Sequence, residues 1–137
     1  MTGPANLLVE AARRFVGAPF RLHGRDPATG LDCVGLVAAA LAAMGRTPIV
    51  PRTYALRNSD ITNLLGFAAA NGFEDIGGPV EPGDLVLVRP GPAQFHLLIA
   101  ERSGSFIHAH AGLRRVVRMP GPLGLTVHRH WHLSTKE

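Results

Sequence analysis

Cysteine is almost absent from this sequence: Cys33 is the only one in 137 residues. A single thiol excludes an internal disulfide framework, so nothing in the chain demands an oxidising compartment. Lysine is as scarce, with Lys136 alone beside thirteen arginines. Trp131 and Tyr54 are each the sole residue of their type. No interleaved basic and aromatic pattern offers a platform on which bases could stack, so a specific nucleic-acid binder is not expected. No apolar run approaches the roughly 20 residues that span a bilayer, so no membrane insertion is expected. Met1 to Arg14 lack the apolar core and small-residue cleavage site of a signal peptide. Synthesis in the cytoplasm is the expectation.

What is present reads as one globular domain over residues 1–137, with 46% hydrophobic and 18% charged residues. The net charge of +4 allows attraction to an anionic polymer: nucleic acid, acidic lipid or bacterial wall. The arginines are scattered, however, and only Arg114, Arg115 and Arg118 cluster.

The chain is organised around Asp32 to Met44, which carries no charge after Asp32. Its alanines and leucines favour helix, and a helix apolar all round is a buried one. Cys33 stands at its start. Helix N-termini carry partial positive charge, which favours thiolate, the nucleophilic form. Cys33 is therefore either a catalytic nucleophile or a small buried hydrophobe.

Before it, Asn6 to Val16 has helical spacing, with Arg13 and Arg14 near its end, and Gly17 and Pro19 stop it. Ala18 to Leu31 reads as a loop. After Gly45 ends the cysteine helix, Thr47 to Asn58 reads as irregular. Ser59 or Asp60 can cap a third helix, Ile61 to Ala70, closed by Asn71-Gly72. The second half changes to strand patterns: Phe73 to Ile76, Asp84 to Val88, Phe95 to Glu101, Phe106 to His110, Leu113 to Met119 and Val127 to Leu133. Helices followed by an antiparallel sheet make an α+β domain.

A thiol nucleophile needs a base, and the base needs an orienting partner. His96 and His108 lie twelve residues apart around a Ser103-Gly104 turn. Paired as a hairpin, both imidazoles can share a face, and packing of the sheet on the helix would bring them to Cys33. His96 would take the thiol proton and return it to the leaving amine. His108 would hold the useful tautomer.

These residues resemble a known family. Asp32-Cys33-Val34-Gly35-Leu36 is similar to the Asp-Cys-Ser-Gly-Leu signature of the NlpC-type bacterial cell-wall peptidases, which are papain-like cysteine peptidases. Gly17-Ala18-Pro19-Phe20-Arg21, Glu81-Pro82-Gly83-Asp84-Leu85, His96-Leu97-Leu98-Ile99 and Phe106-Ile107-His108-Ala109 resemble four further segments of that family, in order. Valine after the cysteine and the compact length look most like its phage-tail and gene-transfer-agent branch. The resemblance implies a papain-like α+β fold, with N-terminal helices and a buried Cys-bearing helix packed on a C-terminal antiparallel sheet. It implies an endopeptidase on peptidoglycan stem peptides, often at the bond between D-glutamate and a diamino acid, with no cofactor. Cys33 would be nucleophile, His96 base and His108 orienting residue. Asp32 would help bind a substrate amine or serve as a plain helix cap. Phe20 stands where the family often has tyrosine, and it cannot donate to an oxyanion. Tyr54 either reaches the site or simply packs. Without a signal peptide, a particle tail would carry the protein to the wall, with tail or baseplate proteins as partners.

His110 follows His108 on the same face and His23 precedes the cysteine helix, so both could line the cleft as substrate-binding residues; a surface role is the alternative. His128, His130 and His132 alternate around Trp131, and alternating histidines can bind zinc. With no second cysteine and no well-placed carboxylate, no metal is expected, and an exposed or partner-facing edge is the default. Two other functions stay open. One is a structural or adaptor tail protein on the same fold. The other is an acyltransferase or amidase, which fold alone does not separate from a peptidase.

Overall fold

The computed structural model describes residues 3–51, 61–91, 94–102, 104–121 and 124–135. The caps expected at Ser59 and Asp60 lie outside these residues, as do Tyr54, Ser103 and Lys136.

Pro4, whose fixed φ suits a first helical turn, opens α1 (Pro4–Arg13), which buries Leu8, Val9, Ala11 and Ala12. The loop expected to follow contains a small hairpin, β1 (Arg25–Asp26) with β2 (Gly30–Leu31). Two-residue strands leave no periodicity to read in a sequence. The central helix α2 (Cys33–Ala43) is buried on nearly every side, as its uniform apolarity requires. Each of its fully buried leucines contributes roughly 1.5–3 kcal/mol relative to exposure. Asp32 caps it, accepting from Gly35 N–H at 2.7 Å. Gly45, at φ +93°, ends it. The third helix, α3 (Thr62–Ala70), closes at Asn71. The Asn71 side chain accepts from Ile49 N–H and donates to Ile49 C=O, both at 2.7 Å, pinning the connection after α2.

Six strands follow: β3 (Phe73–Glu74), β4 (Leu85–Gly91), β5 (Gln94–Ala100), β6 (Phe106–His110), β7 (Arg115–Met119) and β8 (Val127–Leu133). They form one antiparallel sheet in the order β3-β8-β4-β5-β6-β7. Alternation divides it into two faces. Leu85, Leu87, Phe95, Leu97, Ile99, Ile107 and Trp131 join Cys33, Leu36 and Leu41 in the main core. Val86, Val88, Leu98, Ala100 and Phe106 form a smaller cluster on the other face.

Glu101, just past β5, is buried, and it accepts from Arg13 of α1, Arg118 of β7 and Ser105. Burial alone would push its carboxyl up. The bonds from Ser105, Arg118 and Arg13 outweigh burial and hold it at about 2. This one carboxylate ties the first helix to the sheet. Glu101→Gln is expected to cost about 1–3 kcal/mol in urea unfolding, because the charge-assisted bonds are lost while the shape is kept. An unchanged urea midpoint would contradict that role.

Candidate active site

The two imidazoles expected to work together do meet. His96 on β5 and His108 on β6 approach at 2.8 Å, Nε2 to Nδ1, with rings nearly perpendicular at 75°. The strands pair at Ile99↔Ile107 and Ala100↔Phe106, and the ends carrying the histidines lie beyond those pairs. A base at His96 Nδ1 requires the proton on its Nε2, donated to His108 Nδ1. His108 then carries its own proton on Nε2, a buried atom without a hydrogen-bond partner among the described residues.

Cys33 is fully buried at the start of α2. Backbone N–H groups of Leu97, Val34 and Cys33 itself point at the sulfur. The sulfur therefore lies against β5 one residue from His96. No hydrogen bond joins the thiol to either imidazole among the described residues. Along β5, Leu97 and Ile99 join the core that holds Cys33, and His96 alternates with them.

The electrostatics also differ from the expectation of an acidic thiol. Burial, and then the neighbouring Asp32 charge, push Cys33 up to about 12 against the backbone donors. Burial also lowers His96 to about 3, helped by His108 and His110, and lowers His108 to about 4, helped by His110. The resting site is a neutral thiol beside neutral imidazoles.

These shifts fix a pH dependence of stability. Both histidines have folded pKa values below the unfolded value near 6.5, so the unfolded chain binds more protons below that pH. Their neutral-state stabilisation is complete above about pH 6.5 and is lost as pH falls towards 4 and then 3. Each ring contributes a slope of up to about 1.4 kcal/mol per pH unit in that window. Urea midpoints are expected to fall steadily from pH 7 to 4, and less steeply in a His96→Gln, His108→Gln double variant. Equal slopes in the two proteins would contradict the assignment.

A groove of about 680 Å³ opens over the imidazoles, lined by Phe20, Leu22, His23, Phe95, His96, Leu98, His108, His110, Met119 and Leu125, among others. Phe20 and His23 thus reach it from the segment before α2, and His110 from the end of β6. His110 Nδ1 accepts from Leu113 N–H at 3.0 Å, and its ring lies 5.5 Å from that of His108. The leucines at the rim carried no motif in the sequence.

Asp32 does not face this groove. It is fully buried; Oδ1 accepts from Gly35 N–H at 2.7 Å and from Arg25 Nη1 at 3.2 Å, and Oδ2 accepts from His23 N–H at 2.8 Å. The helix-cap alternative describes it. No sequence signal marked Arg25 as its partner.

The remaining histidines take structural contacts. His132 Nδ1 and His130 Nδ1 flank the buried carboxylate of Asp84 at 2.9 and 3.3 Å. A well-placed carboxylate does exist, contrary to the sequence expectation, and it occupies the Nδ1 atoms of both rings. β8 lies inside the sheet between β3 and β4, so these residues are not on an edge strand. His128 packs edge-on against Phe95 at 5.5 Å.

The model of the NlpC/P60 family matches residues 17–123. No curated protein matches the sequence significantly. Among solved structures, the NlpC/p60 domain of peptidoglycan hydrolase SagA is similar, with TM-score 0.58 and 22% identity, over 85% of this chain and 88% of that one. NlpC1 from Trichomonas vaginalis superposes with TM-score 0.70 at 17% identity; the match covers 97% of this chain and 45% of that one. The P60 domain of an antigen from M. avium subspecies paratuberculosis gives TM-score 0.57 at 21% identity, over 93% and 92% of the two chains. The shared fold is the papain-like arrangement of a buried cysteine helix against an antiparallel sheet.

Proposed function

The chain belongs to the NlpC/P60 family, and on that premise we propose that it is a cysteine peptidase hydrolysing the stem peptides of peptidoglycan. The observation that carries this reading is the His96–His108 pair, bonded at 2.8 Å at the floor of an open groove, with the sole cysteine against the adjoining Leu97 amide. SagA, named a peptidoglycan hydrolase, shares the fold.

In the proposed reaction the Cys33 side chain turns from the Leu97 amide towards His96. His96 Nδ1 takes the thiol proton as sulfur attacks the carbonyl carbon. The backbone N–H at the helix start stabilises the oxyanion. The C–N bond breaks, the amine leaves with the proton from His96, and water then hydrolyses the thioester. His108 orients the base. Phe20 supplies no hydroxyl, so oxyanion stabilisation rests on backbone donors. The bond between D-glutamate and a diamino acid is the proposed target, from the motif resemblance. The same resemblance, with valine after the cysteine, supports carriage on a phage-like or gene-transfer-agent tail, held by tail or baseplate proteins. Residues 1–137 act as one domain in this reading.

A second reading, a structural or adaptor tail protein, is favoured by one observation: the thiol is fully buried and, among the described residues, makes no hydrogen bond to either imidazole. Mass analysis of products from intact peptidoglycan separates the two. New amino termini within stem peptides support the enzyme. Unaltered peptidoglycan, with Cys33 inert to iodoacetamide at neutral pH, supports the adaptor. Particles whose tails bind no antibody to this protein would exclude carriage on the tail.

A further inference from the structure

We propose that His110 is a positioning residue: its unprotonated Nδ1 holds the β6–β7 turn closed, through Arg114 that turn holds Phe20 in the groove wall, and a proton on this ring therefore loosens the site without touching Cys33 or His96. This rests on the reading of the groove as the peptidase's active site.

β6 ends at His110, and the chain reverses over Ala111 to Arg114 before entering β7. The turn closes on the ring. Leu113 N–H donates to His110 Nδ1 at 3.0 Å, and Arg114 N–H donates to Ala111 C=O at 3.2 Å. A Cβ at Gly112 would come within 3.0 Å of the ring's Cε1 and 3.3 Å of Nδ1, so the ring fills the space a side chain there would need. Arg114 sits at φ +59°, a left-handed conformation that a residue with a side chain keeps only where its surroundings hold it. Arg114 C=O accepts from Phe20 N–H at 2.9 Å, and Pro19 bridges Arg115. One line of bonds thus runs from the imidazole through the turn to the groove wall.

A ring nitrogen that accepts an N–H carries no proton. In an imidazolium both ring nitrogens are donors, so protonating His110 sets two N–H groups against each other at Nδ1 and breaks the Leu113 bond. The closed turn is therefore the form present at higher pH, and it is lost as the ring takes a proton. The same charge opposes the chemistry. The ring lies 5.5 Å from that of His108. Burial first, and then His110, lowers His108; burial, His108 and His110, in that order, lower His96. A charge on His110 would resist the imidazolium that forms when His96 takes the thiol proton. The titratable and charged neighbours of His110 are His108 on β6, His96 on β5, His23 from the segment before α2, Arg114 in the turn and Arg115 on β7. All are basic, and among the described residues no carboxylate lines the groove to balance a proton.

The test follows the amide resonances of Leu113 and Phe20 from pH 7.5 to 5, above the values of about 4 and 3 at which His108 and His96 take protons. In the wild type both resonances are expected to move together in one step. In His110→Asn, whose Oδ1 can accept from Leu113 but takes no proton, both should hold still. No step in the wild type, a step at Leu113 without one at Phe20, or the same step in His110→Asn would overturn the inference. Kinetics give a second readout. At pH 7, kcat/KM of His110→Asn is expected to exceed that of His110→Leu at least about fivefold, because only asparagine keeps the acceptor. From pH 7.5 to 5, kcat/KM of the wild type should fall at least about fivefold, and that of His110→Asn less than about twofold. Equal rates for the two variants, or the same pH dependence in wild type and His110→Asn, would also overturn it. If the wild type hydrolyses no stem peptide, the peptidase reading fails, and the amide resonances still decide the role of His110.

Discussion

Replacing Cys33 by alanine is expected to lower stem-peptide hydrolysis at least about 10⁴-fold, as removal of a nucleophile does. The fold should survive. The thiol is buried, but its hydrogen bonds are to backbone donors in the core, and loss of one small sulfur costs on the order of 1 kcal/mol. His96→Ala should approach the same loss, since a thiol held at about 12 has almost no thiolate at neutral pH and depends on its base. His108→Ala should cost less, because it orients the base without accepting the proton from sulfur. Parallel measurements of kcat/KM and urea midpoint check all three. Retention of activity within tenfold in Cys33→Ala would remove the thiol from the chemistry.

Gly35→Ala should be strongly destabilising although it adds only one methyl group. At an exposed helical site, alanine for glycine gains about 1 kcal/mol. Here the added Cβ would lie 2.0 Å from the Gly24 carbonyl oxygen and 3.3 Å from Arg25 Nη1. Both backbones are committed: Gly35 N–H donates to Asp32, and Arg25 pairs with Asp32 and bonds the Gly24 carbonyl. The methyl can fit only if the segment carrying Phe20 and His23 moves off α2. A net loss of about 2–4 kcal/mol is expected, with activity falling further than stability because that segment forms a groove wall. Thermal and urea unfolding of the variant measure it. Stability equal to or above that of the wild type would show that the close approach is not maintained in solution.

These expectations show where the sequence was informative. The apolar run after Cys33 specified a buried helix. Alternation specified β6 and β8 to the residue, and the spacing of His96 and His108 anticipated their contact. Contacts between distant segments left no such mark. Gly35 reads as an ordinary helix residue until Gly24 is placed against it. Glu101 reads as a surface acid until Arg13 and Arg118 arrive from opposite ends of the chain. His130 and His132 suggest a metal until Asp84 is seen between them. The thiol's acidity was misjudged for the same reason: a helix N-terminus acts within one turn, whereas desolvation depends on everything packed over it. The face on which His96 lies follows from parity, but its relation to the sulfur depends on where the helix docks.

The most direct test is to quench the protein in acid during turnover of a stem peptide and locate any acyl group by mass. A thioester on Cys33 that accumulates and then decays in water, and that is absent from His96→Ala, is the expected result. Hydrolysis that proceeds with Cys33 never acylated would contradict the account.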